Sequence, residues 1–447
     1  ACLYEAGQLL VVLNGWNEIS AAGQAESREQ LQQFLAGATK TRMLVATRTA
    51  DDSLGIPSPK RVTVRGFDWE QQKSLIRLSV DGASAEALIA RLRSDRKLRA
   101  VTRNPLVLGG VLSLHRRGRA IPDNPYDLLE AVVDAYEKED GRAAALARPP
   151  LRDFHRSYLE AIVQAMNASG ATLLSVADAH RTVHSVSQRL AAEGQLAQAP
   201  EPTDLVNELC NQHLLHRDDD VTLRFAHQRF QEFFGACHVL GRLQSAATSE
   251  SERTALQTDI LNLPFWEDAV ELAATKLASD PTLTAQKLLL VDLAVPVDLA
   301  FAARLAGEMG LSHAEGTVWQ KLCDVLKVLR EHSAPEAQQY ALESMAATRS
   351  CEFAHLLWPL LESDEQQVRL RGYRLGGGLT VHQLGPDAAK RMNSWSEERR
   401  TESVGELADR LENLSFIESL AQGDNSVPVR ANAIQALHDW YLAGDAA

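Results

Sequence analysis

The sequence predicts a mainly α chain with a partial α/β sheet at its N-terminus, then a helical domain, a winged helix and α-solenoid-like helical repeats. Three observations predict it. Short apolar runs that read as strands of an α/β sheet fall within the first 66 residues, helical spacing of apolar residues dominates afterwards, and one Asp-rich hairpin pattern interrupts the helices at Leu214 to Phe225. The expected domains are 1–66, 67–148, 149–240 and 241–447.

Leu9 to Leu13 is a continuous hydrophobic run, which predicts a strand buried on both faces of a parallel sheet. Ser27 can cap the helix that follows, with Leu31, Phe34 and Leu35 at helical spacing. Met43 to Thr47 and Val62 to Val64 are then the second and third strands. Strand, helix, strand is the rhythm of an α/β sheet, of which only the second half is expected here.

After Gly66 the pattern turns helical. Leu75 with Leu78, and Leu88 with Leu92, mark two short amphipathic helices, and Asn104 with Pro105 opens a third by placing Pro at the first helical position. Leu108, Val111, Leu112 and His115 share one face of it. A fourth helix starts at Asn124 and Pro125, with Leu129, Val132, Val133 and Tyr136 in register. LLHRDDDVTLRF, Leu214 to Phe225, has two apolar ends around an acidic turn, and helices followed by one hairpin suggest a winged helix. Beyond Gly241 the periodicity is helical throughout, as in Val270, Ala273, Ala274 and Leu277. Asp364 with Val368 and Arg369, and Asp424 with Val429 and Arg430, precede similar helices and give a faint repeat signal.

Composition narrows the function classes. Forty-six basic against fifty-nine acidic residues give a net charge of −13, which argues against wholesale binding to nucleic acid or to an anionic membrane. Five scattered cysteines fit reduced thiols of a cytoplasmic protein better than a disulfide framework. Leu288 to Ala303, the most apolar late stretch, is broken by Asp292, Pro296 and Asp298, so no membrane partner is expected.

In their order, the motifs of the first 240 residues resemble the NACHT branch of the STAND signalling P-loop NTPases. LLVVLNGWNE at Leu9 to Glu18 is similar to the family's Walker B strand, and LVATR at Leu44 to Arg48 to the next strand with its sensor tip. VRGFDWEQQKSLI resembles the start of the helical domain, NPLVLGGVL the helix whose Pro packs near adenine, and FAHQRFQEFFGA at Phe225 to Ala236 the winged-helix signature whose His reaches nucleotide phosphates. The resemblance implies that 1–66 is the C-terminal half of a nucleotide-binding domain. The phosphate-cradling loop that should precede it has no room after Ala1, so the chain reads as a fragment that does not hydrolyse nucleotide by itself.

The resemblance also implies the site. Magnesium beside a triphosphate needs hard anionic oxygens, and Asn14 stands at that position, so metal binding through water should be weak. Asn17 likewise replaces an acid, which leaves Glu18 as the carboxylate able to orient or deprotonate water. Arg48, Pro105 and His227 are the expected nucleotide contacts: a γ-phosphate sensor, an adenine neighbour and a β-phosphate latch. ATP or ADP with magnesium is the expected cofactor of the intact protein, with at most weak NTPase activity.

Other readings of single residues stay open. His180 and His184 lie one helical turn apart and Cys210, His213 and His216 are spaced by threes, but interleaved Leu209, Leu214 and Leu215 favour core over zinc. The basic clusters Arg91 to Arg103 and His115 to Arg119 alternate with apolar residues and read as solvated helix faces. Trp266, Trp319, Trp358, Trp395 and Trp440 are partner anchors only if exposed.

Two functions follow as expectations. One is a nucleotide-regulated switch, in bacterial defence or stress sensing by family resemblance, whose helical repeats bind a protein ligand or oligomer partner. The other is a nucleotide-blind scaffold carrying a degenerate NTPase remnant, which Asn14 and Asn17 favour. A winged-helix regulator on DNA is disfavoured by the acidic balance and by Asp218 to Asp220.

Overall fold

The computed structural model describes residues 10–13, 27, 29–34, 42–45, 66–94, 99, 102–122, 124–138, 141–217, 221–408 and 410–442. It is mainly helical. Two compact units emerge: Ala1–Arg65 with Ala144–Gln231 and Leu263–Phe265, and Gly66–Ala143 with Glu232–Asn262 and Trp266–Ala447.

In the first unit β1 (Leu10–Leu13) pairs in parallel with β2 (Arg42–Val45), Leu13 opposite Val45. Residues 29–34 between them are helical and bury Leu31. Burial on both faces, expected of β1, is not observed. Leu10 and Val12 are 62% and 55% exposed, while Val11 and Leu13 on the opposite face are half-buried. Among the described residues β1 has one neighbouring strand and one covered face, and the expected strand Val62 to Val64 lies outside them. Ser27 is itself helical rather than a cap.

The second unit opens with α1 (Trp69–Ser79), whose start is fixed by a reciprocal cap: Gln71 N–H donates to the Asp68 carboxylate at 2.6 Å and Asp68 N–H to the Gln71 side chain at 3.0 Å. Its buried face is Gln72 and Ile76. Leu78, expected on that face, is 83% exposed, because the inward stripe runs through 72 and 76 and leaves 78 turned away. Next, α2 (Gly82–Ser94) buries Ala85, Leu88, Ile89 and Leu92, α3 (Pro105–Arg116) buries Leu108, Val111 and Leu112, and α4 (Pro125–Glu137) buries Leu129, Val132 and Val133. Asn124 caps α4 by accepting from Asp127 N–H at 2.9 Å.

The first unit resumes with α5 (His155–Ala168), β3 (Leu174–Ser175), α6 (Val176–Ala192), α7 (Pro202–Asn211), β4 (Leu215–Arg217) and β5 (Thr222–Phe225). The strands form an antiparallel sheet in the order β3-β5-β4, with Leu215 opposite Phe225 and Leu174 opposite Leu223. The hairpin follows the sequence pattern. The third strand, two residues long, is too short to show a period. Ser175 ends it and caps α6, accepting from Asp178 N–H at 3.0 Å.

Helix α8 (Gln228–Ala246) carries the chain from one unit to the other, and within the second unit Phe233 meets Tyr126 at 5.4 Å between ring centroids. The remaining helices of that unit are α9 (Glu250–Leu256), α10 (Glu267–Ser279), α11 (Thr284–Ala294), α12 (Leu299–Glu308), α13 (Thr317–Arg330) and α14 (Pro335–Ala347). They continue as α15 (Ala354–Leu361), α16 (Gln366–Arg374), α17 (Ala388–Asn393), α18 (Glu397–Leu407), α19 (Leu414–Gly423) and α20 (Val427–Leu442). Polar bonds stitch segments 32 to 34 residues apart: Trp319 to Glu352, Gly376 N–H to Glu343, Arg369 to Glu402, Arg374 to Glu406, and Asn413 to Leu379 O.

The two echoing segments do the same structural job. Arg369 Nη1 donates to the Ser363 and Asp364 carbonyls at 3.0 Å each, and Arg430 Nη1 to the Asp424 carbonyl at 2.6 Å, so each Arg closes the turn before its own helix. Trp266, Trp319, Trp358 and Trp395 are core residues, the last two meeting edge to face at 6.1 Å. Among the described residues no helix is long and apolar enough to cross a membrane.

Candidate functional site

Four of the six expected site residues, Asn14, Asn17, Glu18 and Arg48, lie outside the described residues. Pro105 and His227 are described, in different units. Each is therefore built from its own surroundings.

Pro105 is exposed at the first position of α3, where its missing N–H costs nothing and Leu108 N–H bonds the Asn104 carbonyl at 3.0 Å. One residue earlier the chain is pinned: Phe67 N–H donates to the Arg103 carbonyl at 2.7 Å. The starts of α1 and α3 are thus tied together, with Pro105 at their outer end.

His227 stands between β5 and α8, and both sides hold its backbone. Ala226 N–H extends the hairpin by donating to Leu214 O at 3.2 Å, and the His227 carbonyl accepts from Phe230 N–H at 2.9 Å. Gln231 in the first turn of α8 is buried and donates to Asn167 of α5 at 2.9 Å, which anchors the helix start. The His227 ring is exposed and packs its edge on Phe230 at 5.5 Å and 87°. Partial desolvation holds its pKa below the usual histidine value, so the ring is neutral at pH 7 and offers one N–H donor and one acceptor. Among the described residues the ring makes no hydrogen bond. The N-terminus of α8 adds its positive dipole end at the same place, so the corner suits an anionic oxygen.

The Cys210, His213 and His216 spacing does not form one helical face. Helix α7 ends at Asn211, and His213 takes the left-handed conformation, φ 56°, that terminates it, with Leu214 N–H returning to Leu209 O at 3.1 Å. His216 is already in β4. Among the described residues no group of three or more His, Cys, Asp or Glu is placed to hold a metal ion. These residues line instead an open cleft of about 550 Å³ with Asn207, Asn211 and Arg217, the last donating to Asn207 at 2.8 Å. Burial pushes the Cys210 thiol up against the opposing pull of Arg217, so it is not a thiolate nucleophile at neutral pH.

Sequence reasoning missed the anchor pair Asn167 and Gln231, because a polar contact across 64 residues leaves no local pattern. The hairpin signal did find the corner that holds His227. No family model and no curated protein sequence matches the chain.

Proposed function

We propose that the chain belongs to a nucleotide-regulated switch of the NACHT type, reading ATP against ADP, with the helices beyond α8 as a solenoid that binds a protein ligand or oligomer partner. The observation that carries the reading is the parallel register of β1 and β2. Parallel pairing with Leu13 opposite Val45 puts the C-terminal ends of β1 and β2 at the same sheet edge, the carboxyl edge at which open α/β sheets bind ligands. His227 supports it independently. A neutral, unbonded imidazole at a helix N-terminus, held by the hairpin behind it and by Phe230 below it, is the geometry a phosphate latch needs. The sheet of β3, β4 and β5 with α5 to α8 is then the winged helix of such a switch.

The reading requires a GxxxxGK[ST] segment, which residues 1–447 do not contain, since β1 and β2 supply no phosphate cradle of their own. Purified with that segment, the protein should retain ADP through gel filtration, and His227→Leu should release it at least tenfold faster. Equal retention by the two proteins refutes the latch.

The second reading, a nucleotide-blind scaffold, is favoured by one observation: Asn14 and Asn17 stand where acids are expected. An eroded upstream loop together with no nucleotide retention selects it. Any hydrolysis in the switch is slow, because carboxamides bring no charge to magnesium.

A further inference from the structure

Sequence positions 91 to 121 hold nine Lys or Arg residues and one acidic residue, Asp95, in a chain whose net charge is −13. Eight of the nine are arginine. The fold brings Arg91 and Arg93 beside Arg116, Arg117 and Arg119 on one edge of the second unit; Arg99 is buried, and Arg96 and Lys97 lie outside the described residues. His115 Nε2 at the end of α3 lies 2.9 Å from Ser84 Oγ in the first turn of α2, and Arg91, two turns on, donates from Nη2 to the Ile121 carbonyl at 2.7 Å. The segment 115 to 121 therefore runs along α2 for about 10 Å, seven residues of helical rise.

Its geometry keeps the cations outward. Helix α3 is terminated just past Arg116 by Gly118, φ +64°, with Gly118 N–H on His115 O at 2.9 Å and Arg119 N–H on Leu114 O at 3.0 Å. This tight reversal splays Arg116 and Arg119 into solvent. Arg91 and Arg117 each donate to a backbone carbonyl, Ile121 O and Ala135 O. Arg93, Arg116 and Arg119 are exposed and have no carboxylate partner among the described residues. Among the described residues, Glu86 pairs with Arg77 at 2.8 Å and Asp134 with Lys138 at 2.7 Å. Cations near a helix C-terminus gain up to about 1 kcal/mol from the dipole. That accounts for Arg116 in the last turn of α3 and for Arg91 and Arg93 in the last turn of α2, but not for Arg119, which lies beyond the end of α3, nor for the gathering of these cations on one edge.

We propose that this edge binds the phosphodiester backbone of double-stranded nucleic acid without reading sequence. The occupant follows from what the edge has and lacks. Arginine forks match phosphate oxygens in pairs. No large apolar side chain is exposed among the described residues of 91 to 121, so the edge lacks the apolar core of a protein interface and the inserting residues of a membrane anchor. Binding rests on counterion release alone, and three phosphate contacts predict a slope of about −2.7 in log K against log salt. The inference is independent of the nucleotide switch.

Fluorescence anisotropy with the full 447-residue chain and a labelled 20-base-pair duplex of arbitrary sequence tests it. Affinity should fall roughly 40-fold between 50 and 200 mM salt and be the same for a second, unrelated duplex. Replacing Arg93, Arg116 and Arg119 together with Gln should weaken binding at least tenfold and flatten the salt slope, with unchanged circular dichroism and melting temperature. If the triple variant does not fold, Arg119→Gln alone, beyond the end of α3, should lower the slope by about one. No binding at 50 mM salt, unchanged binding by the folded variant, or capture by phosphatidylserine vesicles in place of the duplex overturns the proposal.

Discussion

Arg369 shows how unequal ion pairs are in this chain. Its side chain is 7% exposed and that of Glu402 10%, and the guanidinium meets both carboxylate oxygens at 2.9 and 2.8 Å while Nη1 holds the turn carbonyls of Ser363 and Asp364. The hydrogen bond that Arg369 donates to Glu402 leads the effects that raise the Arg369 pKa. Removing one partner of a buried pair leaves an uncompensated charge and costs about 3–5 kcal/mol. Arg374 makes the same fork to Glu406 at 3.0 Å but is 70% exposed. Solvent screening leaves that pair with little net effect on stability. Urea unfolding should therefore separate Arg369→Ala, strongly destabilised, from Arg374→Ala, nearly wild type, although both lose a bidentate pair. Equal shifts would mean that burial does not set the energetics here.

At the scale of elements, helix packing and helix propensity pull glycines in opposite directions. Gly307 lies in α12 where a Cβ would fall 2.4 Å from the Ala347 carbonyl oxygen at the end of α14, so close approach of two backbones requires it. Gly405 lies in α18 with nothing within 4 Å of the same position. Gly307→Ala should cost several kcal/mol because backbone must move, and Gly405→Ala should gain about 0.5–1 kcal/mol from reduced chain entropy. Thermal melting of the two single variants checks the opposite signs.

Which elements the sequence foretold follows the same logic. Helices α3 and α4 start where Pro105 and Pro125 put them, and the hairpin appears where apolar ends flank the acidic turn, because these signals are local. Strand β3 was illegible at two residues, and Leu78 was misassigned because two apolar residues three apart fit more than one face of a short helix. The candidate site was legible only as a succession of motifs. His227 emerges at a rigid corner, whereas the surroundings that constrain it, Asn167 and Gln231 among them, are long-range and invisible to periodicity.

Across the whole molecule, acid should loosen one region while strengthening another. In the array of α15 to α20, Asp424 is pushed up by burial, but hydrogen bonds from Arg400 and Ser426 N–H and the charges of Arg400 and Arg430 outweigh this and hold its carboxyl below the usual range. Glu362 is also lowered, chiefly by its hydrogen bond from Arg391. A depressed carboxylate contributes stability that is present above its unfolded pKa and lost as pH falls through the folded one, so this array weakens below about pH 4. Glu160 in α5 behaves in the opposite sense. Burial raises its pKa to about 6, only partly opposed by the charges of Arg156 and Arg189. The folded state then holds the proton more tightly than the unfolded one, so stability falls as pH rises from about 4.5 to 6, and at pH 7 the buried carboxylate costs about 1–2 kcal/mol. Hydrogen exchange, corrected for intrinsic rates, should show amides of 155–168 better protected at pH 5 than at pH 7, and amides of 397–442 losing protection between pH 5 and pH 3. Glu160→Gln should abolish the first change, stabilise α5 at pH 7 and leave the second untouched. Loss of protection in both regions together on acidification, in wild type and variant alike, would mean that overall charge repulsion rather than these individual carboxyls governs the acid response.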